Sequence, residues 1–389
     1  MEKENIKELG IYIHIPFCRQ KCKYCDFLSF SNKEELQSSY VEKLKREIEL
    51  WGKSYGKQGR NDYVPTIYFG GGTPSLLPAF FIEDILVTLR ENFSVAEDCE
   101  ITLECNPGTV DKEKILSYYN MGINRISFGL QSADDGELKT IGRIHTYDIF
   151  CQNYEAARKA GFENINVDIM SALPGQTIES YHDTLKKVIA LRPEHISSYS
   201  LMIEEGTPFY DLWNQGKLNL PDEDTERQMY YDTNEYLENA GYARYEISNY
   251  ARQGYESKHN TSYWIRKNYL GLGLGASSMI DNVRFKNTEK MDVYLKEKEE
   301  IMHDEDREEL TIIQQMEEYM FLGLRLMKGI SVEEFERQFQ KSFTGIYGEI
   351  CDQLQQQGLL LWEEGKVKLT SRGIDVSNAV LAEFLLTDI

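Results

Sequence analysis

Six short runs rich in β-branched and aromatic residues alternate with longer amphipathic stretches through the first half of this 389-residue chain: IYIHIPF (11–17), TIYFGG (66–71), EITLECNP (100–107), RISFGLQS (125–132), NINVDIMSAL (164–173) and HISSYSL (195–201). Strands separated by helices pair in parallel through right-handed crossovers, so the alternation selects an α/β architecture. Six consecutive units are too many for half of a doubly wound sheet and fit a barrel or an incomplete barrel. Two intervening stretches show why they are helical. KEELQSSYVEKLKREIELWG (33–52) spaces its apolar residues by three and four, and PAFFIEDILVTLREN (78–92) opens after a proline and ends in polar residues.

Later segments break the rhythm. EISNYA (246–251) and YLGLGLGASSMIDNVRFKN (269–287) read as short strands or loops closing one edge of the sheet. The run Gly271, Gly273, Gly275 lacks the following helix and acidic residue of a dinucleotide site, so it reads as close backbone packing. From about residue 306 helical patterns dominate, followed by a hairpin in LLLWEEGKVKLTSRG (359–373) and a last amphipathic helix, a winged-helix-like unit. The expected division is a barrel over 1–290 and a helical domain over 305–389. The formal charge of −21, with an acidic excess in the tail as well, is the wrong sign for nucleic acid. MEKENIKELG shows no leader, and no run of about 18 apolar residues provides a membrane span. A cytoplasmic protein, not integral to the membrane, is expected.

Of the seven cysteines, Cys99, Cys105, Cys151 and Cys351 are scattered and read as small buried hydrophobes, whereas Cys18, Cys22 and Cys25 share one loop after the first strand. Three thiolates so close can converge on one metal centre. Zinc is the alternative. A closed zinc site asks for a fourth donor, and His14, on the strand four residues earlier, is expected to point elsewhere. With three thiolates, a 4Fe-4S cluster leaves one iron open to another ligand. Gly70-Gly71-Gly72-Thr73-Pro74 ends the second strand and lacks the lysine of a phosphate loop, but glycines at the carboxyl end of a barrel strand let the backbone approach a ligand. Glu104, Gln131, Arg143 and Asp168 lie at or just beyond strand ends, and any one of them alone fits an ion pair or a cap equally well.

The CxxxCxxC loop with Tyr24 before its third cysteine, together with GGGTP, resembles the radical S-adenosylmethionine superfamily. That resemblance implies a partial (β/α)6 TIM-like barrel, a 4Fe-4S cluster held by Cys18, Cys22 and Cys25, and S-adenosylmethionine on the open iron. The polar strand-end set, YIHIPFC, LPGQT (173–177) and the helical tail are similar to the HemN-like subgroup, named for oxygen-independent coproporphyrinogen III oxidase. There the implied roles are Arg143 on the cofactor's carboxylate, Asp168 on its ribose hydroxyls, and Glu104 and Gln131 on its remaining polar groups, with Tyr12, Tyr24, Gly71, Gly72 and Thr73 as further contacts. A guanidinium fork does suit a carboxylate.

Two departures separate the chain from the oxidases, which carry CxxxCxxCxC and an extension before it. Here Phe27 takes the place of the fourth cysteine and Cys18 lies near the first residue. Both point to the HemW family of heme chaperones. His259-Asn260-Thr261-Ser262-Tyr263-Trp264 resembles that family's HNxxYW heme-binding stretch, implying His259, Tyr263 and Trp264 as heme contacts. An imidazole can ligate heme iron and aromatic rings can pack on a porphyrin. The implied function is binding heme and delivering it to hemoprotein acceptors, membrane-bound ones included. The alternative is coproporphyrinogen III oxidase itself, which decarboxylates propionate side chains.

Overall fold

In a computed structural model, residues 7–296 and 307–386 are described. Six parallel strands stand side by side in chain order: β1 (Leu9–Ile15), β2 (Tyr63–Gly71), β3 (Ser94–Cys105), β4 (Arg125–Gln131), β5 (Ile165–Ser171) and β6 (His195–Ser200). The helices α1 (Gln37–Ser54), α2 (Ala79–Asn92), α3 (Lys112–Asn120), α4 (Tyr147–Ala160), α5 (Ile178–Leu191) and α6 (Glu223–Asn239) follow them in turn. Period-two alternation sends Leu9, Ile11, Ile13 and Ile15 of β1 outward, fully buried among apolar residues, and Gly10, Tyr12 and His14 inward. The same alternation places Thr66, Glu100, Arg125, Asn166 and His195 in a buried polar interior.

The sheet stays open, and the two late segments extend opposite edges instead of the single edge expected. β7 (Asn249–Ala251) runs antiparallel to β6. The chain then passes through a seven-residue helix, α7 (Lys258–Trp264), and returns as β8 (Asn268–Leu272) parallel to β1, followed by antiparallel β9 (Ser277–Ile280) and β10 (Val283–Lys286). α7 is therefore the segment that carries the chain from one edge to the other, and His259 within it reaches Thr66 of β2. The glycine run does serve close packing. A Cβ on Gly273, at φ +97°, would fall 2.5 Å from the Tyr40 hydroxyl.

Residue 305, expected to begin the tail unit, and residues 387–389 lie outside the described residues. Within them, α8 (Ile312–Gly323), α9 (Val332–Phe339) and α10 (Phe343–Gln356) pack through Met320, Phe335, Phe343 and Tyr347. The expected hairpin is β11 (Leu360–Glu363) with β12 (Lys366–Leu369), and Ile330–Ser331 adds a third strand. Charge joins this unit to the barrel. Glu318 on α8 binds Arg266 at 2.9 Å, with both side chains only 4% exposed, and Arg284 at 2.6 Å. Removing the carboxylate leaves a buried guanidinium whose remaining side-chain contact is Asn282. Glu318→Ala should cost about 3–5 kcal/mol, read as a lower urea midpoint. A midpoint equal to wild type would show that the pair contributes nothing.

Candidate functional site

β1 ends at Ile15, and beyond Pro16 the pair Phe17–Cys18 meets Phe30–Ser31 and closes a loop holding all three clustered cysteines. The loop is pinned at both faces of Lys23, whose N–H donates to the Ile141 carbonyl at 3.1 Å and whose carbonyl accepts from Phe209 N–H at 3.0 Å. Gln20 donates to the Gly142 carbonyl. Cys18 is buried, Cys22 and Cys25 are half-buried, and none is in a disulfide. Burial pushes the Cys25 thiol up to about 11, and the neighbouring Cys22 and Cys18 add to the rise, so the three sulfurs feel one another. Among the described residues no group of three or more His, Cys, Asp or Glu side chains is arranged around a single ion. Three thiolates on one loop match three irons of a cubane, whereas a closed zinc site needs a fourth donor. His14 is turned away from the sulfurs: its Nε2 lies 2.9 Å from the Leu28 carbonyl and its Nδ1 3.0 Å from the Tyr12 hydroxyl.

Beside the loop lies Arg143. Its guanidinium donates to Asn106 Oδ1 at 2.6 Å and to the Gly129 carbonyl, and approaches Cys22 Sγ at 3.7 Å. Asn106 Nδ2 in turn donates to Thr73 Oγ1 at 2.8 Å, and Thr73 lies 3.5 Å from Cys18 Sγ. Tyr24 packs on the apolar group of Leu138, Met170, Leu201 and Phe209, and the nearby Arg143 partly offsets the rise in its hydroxyl's pKa caused by burial. A short tether therefore runs from cysteine loop to glycine loop to arginine. Asn106 is its middle link, a role missed in the sequence although ECNP carries the residue. Two glycines let the side chains close in. A Cβ at Gly129 would stand within about 3 Å of Asn106, Arg143 and Gln131, and one at Gly70 equally close to Tyr12, Tyr68 and Glu104. Gly72 packs its backbone on Cys18 Sγ, and Gly71 lies against the His14 ring.

Gln131 sits past a register shift in β4, with φ +74°, a conformation rare outside glycine that re-aims its side chain to accept from Tyr199 Oη at 3.1 Å. Glu104 accepts from Tyr68 Oη at 2.9 Å. Burial, reinforced by Asp168, raises its carboxyl from 4.5 to about 7 against the opposing bonds from Tyr68 and Gly71. Asp168 is also raised by burial and accepts from Asn166 at 2.7 Å and from Ser127.

His259 is placed elsewhere than on an open face. Only 1% exposed, it stacks on Tyr68 at 5.1 Å, with Nδ1 2.8 Å from Thr66 Oγ1 and Nε2 2.8 Å from Tyr263 Oη. Burial lowers its pKa to about 3, so the ring is neutral with both nitrogens engaged. In this arrangement both ring nitrogens are engaged, one by Thr66 of β2 and the other by Tyr263, one helical turn on along the same face of α7. Tyr263 and Trp264 do line a cavity of about 420 Å³, together with Tyr12 and His14.

Comparisons with known proteins agree with this architecture. The model of the radical SAM superfamily matches residues 12–188 and that of the HemN C-terminal domain residues 310–376. Heme chaperone HemW of Lactococcus lactis is 38% identical over 385 residues, covering 98% of this chain and 99% of its own. Its Bacillus subtilis counterpart is 36% identical over 376 residues, covering 96% and 98%. Among solved structures, the radical SAM enzyme coproporphyrinogen III oxidase (HemN) of Escherichia coli superposes with a TM-score of 0.84, covering 97% of this chain and 90% of its own. At 23% identity that likeness shows the fold.

The Glu104 shift has a pH signature. An unfolded chain releases this proton near 4.5 while the folded one keeps it to about 7. Over that window the folded state binds more protons, so stability falls as pH rises. Asp168, raised in the same direction, adds to the fall. Melting Glu104→Gln at the two ends of the window should give a smaller difference than wild type; an unchanged difference would place the titration elsewhere.

Proposed function

Since the chain belongs to the HemW family of radical S-adenosylmethionine proteins, we propose that it is a heme chaperone: it carries heme as cargo to hemoprotein acceptors and keeps a 4Fe-4S cluster and S-adenosylmethionine as resident cofactors. The observation that carries this reading is the tether joining the three-cysteine loop, Thr73, Asn106 and Arg143 at the carboxyl ends of the strands. When bound, the cluster supplies an electron and an open coordination position, and S-adenosylmethionine supplies the ligand for that position.

In this reading Cys18, Cys22 and Cys25 hold the cluster. Arg143, braced on Asn106 and Gly129, receives the cofactor's carboxylate, and the Gly71-Gly72-Thr73 backbone lies alongside. Asp168 keeps acceptor capacity for a diol, while Glu104 and Gln131 serve the other polar groups and Tyr12 and Tyr24 frame them. Tyr263 and Trp264 offer aromatic surface to the porphyrin, and His259 holds Tyr263 in place. Membrane-bound acceptors fit this reading, as does the cytoplasm, where seven free thiols stay reduced. No helix among the described residues is long and apolar enough to cross a membrane. Against the oxidase alternative stands Phe27, 63% exposed, which puts a ring with no ligating atom where the oxidases have a cysteine.

Anaerobic reconstitution tests the reading. Wild type should bind iron and sulfide, take up heme with a Soret band and pass it to an apo-hemoprotein, and Cys22→Ala should lose the cluster. Asn106→Ala should retain iron yet bind S-adenosylmethionine roughly tenfold more weakly, the loss expected for one bond to a charged group. Efficient conversion of coproporphyrinogen by wild type would overturn the assignment.

A further inference from the structure

Between the β1 edge of the barrel and the C-terminal unit lies the cavity of about 420 Å³, a size suited to a small organic ligand and walled by Tyr12, Tyr263, Trp264, Tyr269 and Met279, with Arg284 at its rim. Three arginines gather here in a chain of net charge −21. Arg266 and Arg284 share one carboxylate, that of Glu318. Arg325 lies 4.6 Å over the Trp264 ring, and its Nε is buried with no hydrogen-bond partner. Burial raises the pKa of Glu246, while bonds from Ser248 and Asn249 and the charges of Arg325 and Arg244 oppose the rise. Trp264 Nε1, in the cavity wall, is likewise buried and unpartnered. The aromatic walls of the cavity thus lie beside two buried donors with no partner, Arg325 Nε and Trp264 Nε1.

Arg284 is the arginine placed to act outward. Its side chain is 40% exposed where Arg266 is 4%, and Glu318 keeps Arg266 when Arg284 turns away. Planar apolar surface beside a solvent-exposed guanidinium suits a flat ring system bearing carboxylates. We infer that this cavity seats the tetrapyrrole cargo, with Tyr263 and Trp264 against the ring and Arg284 on one of its propionates. The inference rests on the heme-carrying reading above and adds the remaining walls of the cavity and the anchor. It also sets the cargo against Tyr12, whose ring stacks on Tyr68, the donor to Glu104 at the strand-end site.

Soret titrations with heme and with heme dimethyl ester, which lacks the carboxylate charges, test it on the full chain. Wild type should bind the acid roughly tenfold or more tightly than the ester, as expected for a hydrogen bond to a charged group. Arg284→Gln should weaken the acid alone and abolish the preference, while Trp264→Ala should weaken acid and ester alike. Arg337→Gln, on the exposed face of α9, should behave as wild type, and circular dichroism melts confirm that each variant is folded. Equal affinity of wild type for acid and ester, or a preference that survives in Arg284→Gln, would overturn the anchor without touching heme carriage. Failure of wild type to bind either compound would instead remove the heme-carrying reading, and the inference with it.

Discussion

Everything in this protein hangs on how an open barrel satisfies a polar interior. Arg125, Glu100, Asn166, His195 and His259 are all buried inside the curve of the sheet, and burying such groups is costly unless each finds a partner. One chain of bonds does much of this. Asn166 donates to Asp168 and Ser127 and accepts from His195 and Ser197, and His195 reaches Tyr245, whose hydroxyl takes the Ser257 N–H. Ser257 is also the residue whose side chain caps α7. The helix bearing His259, Tyr263 and Trp264 is thereby set by the same interior that sets Asp168. A second route, through Glu100 to the His259 N–H and through Thr66 and Tyr68 to its ring, fixes the helix from the other side.

In the reading proposed above, the same wiring links the cofactor end to the cargo end. Tyr12 bonds His14 and stacks on Tyr68, which donates to Glu104; the face of Tyr12 and His14 turned the other way lines the cavity with Trp264. Glu104 at the strand ends and the cavity wall are thus joined through two aromatic rings, Tyr68 and Tyr12. Interdigitated side chains there leave little free space, as in any packed interior.

Much of the fold was legible because strand and helix periods differ and alternate cleanly. β4 and β6 fall within a residue of the expected runs. β3 begins six residues early, since the acidic stretch SVAEDC hides its pairing with β2 behind a register shift at Pro65. Which edge a late strand joins is a matter of crossover geometry that no residue pattern encodes, hence two segments expected at one edge join opposite ones. At the site, cysteine spacing and strand-end polarity are local signals. Asn106 shows its meaning only once Thr73 and Arg143 arrive from other strands. His259 invites ligation by its residue type, while the two bonds that occupy it come from Thr66 and Tyr263, 193 residues and one helical turn away.

The Glu318 cluster shows why the C-terminal unit is attached by charge. An apolar seam would hold the unit equally well, and replacing buried ion pairs by apolar residues often stabilises proteins. A carboxylate shared by two guanidiniums does something an apolar seam cannot: it lets one partner leave. When Arg284 engages a cargo carboxylate, Glu318 still neutralises Arg266, so the seam stays closed and no buried charge is stranded. The same arithmetic forbids Arg266 from that role, because its departure would leave it desolvated with only Asn282. The exposed arginine binds and the buried one holds. The division of labour between two like residues follows from solvent access and from nothing in their chemistry.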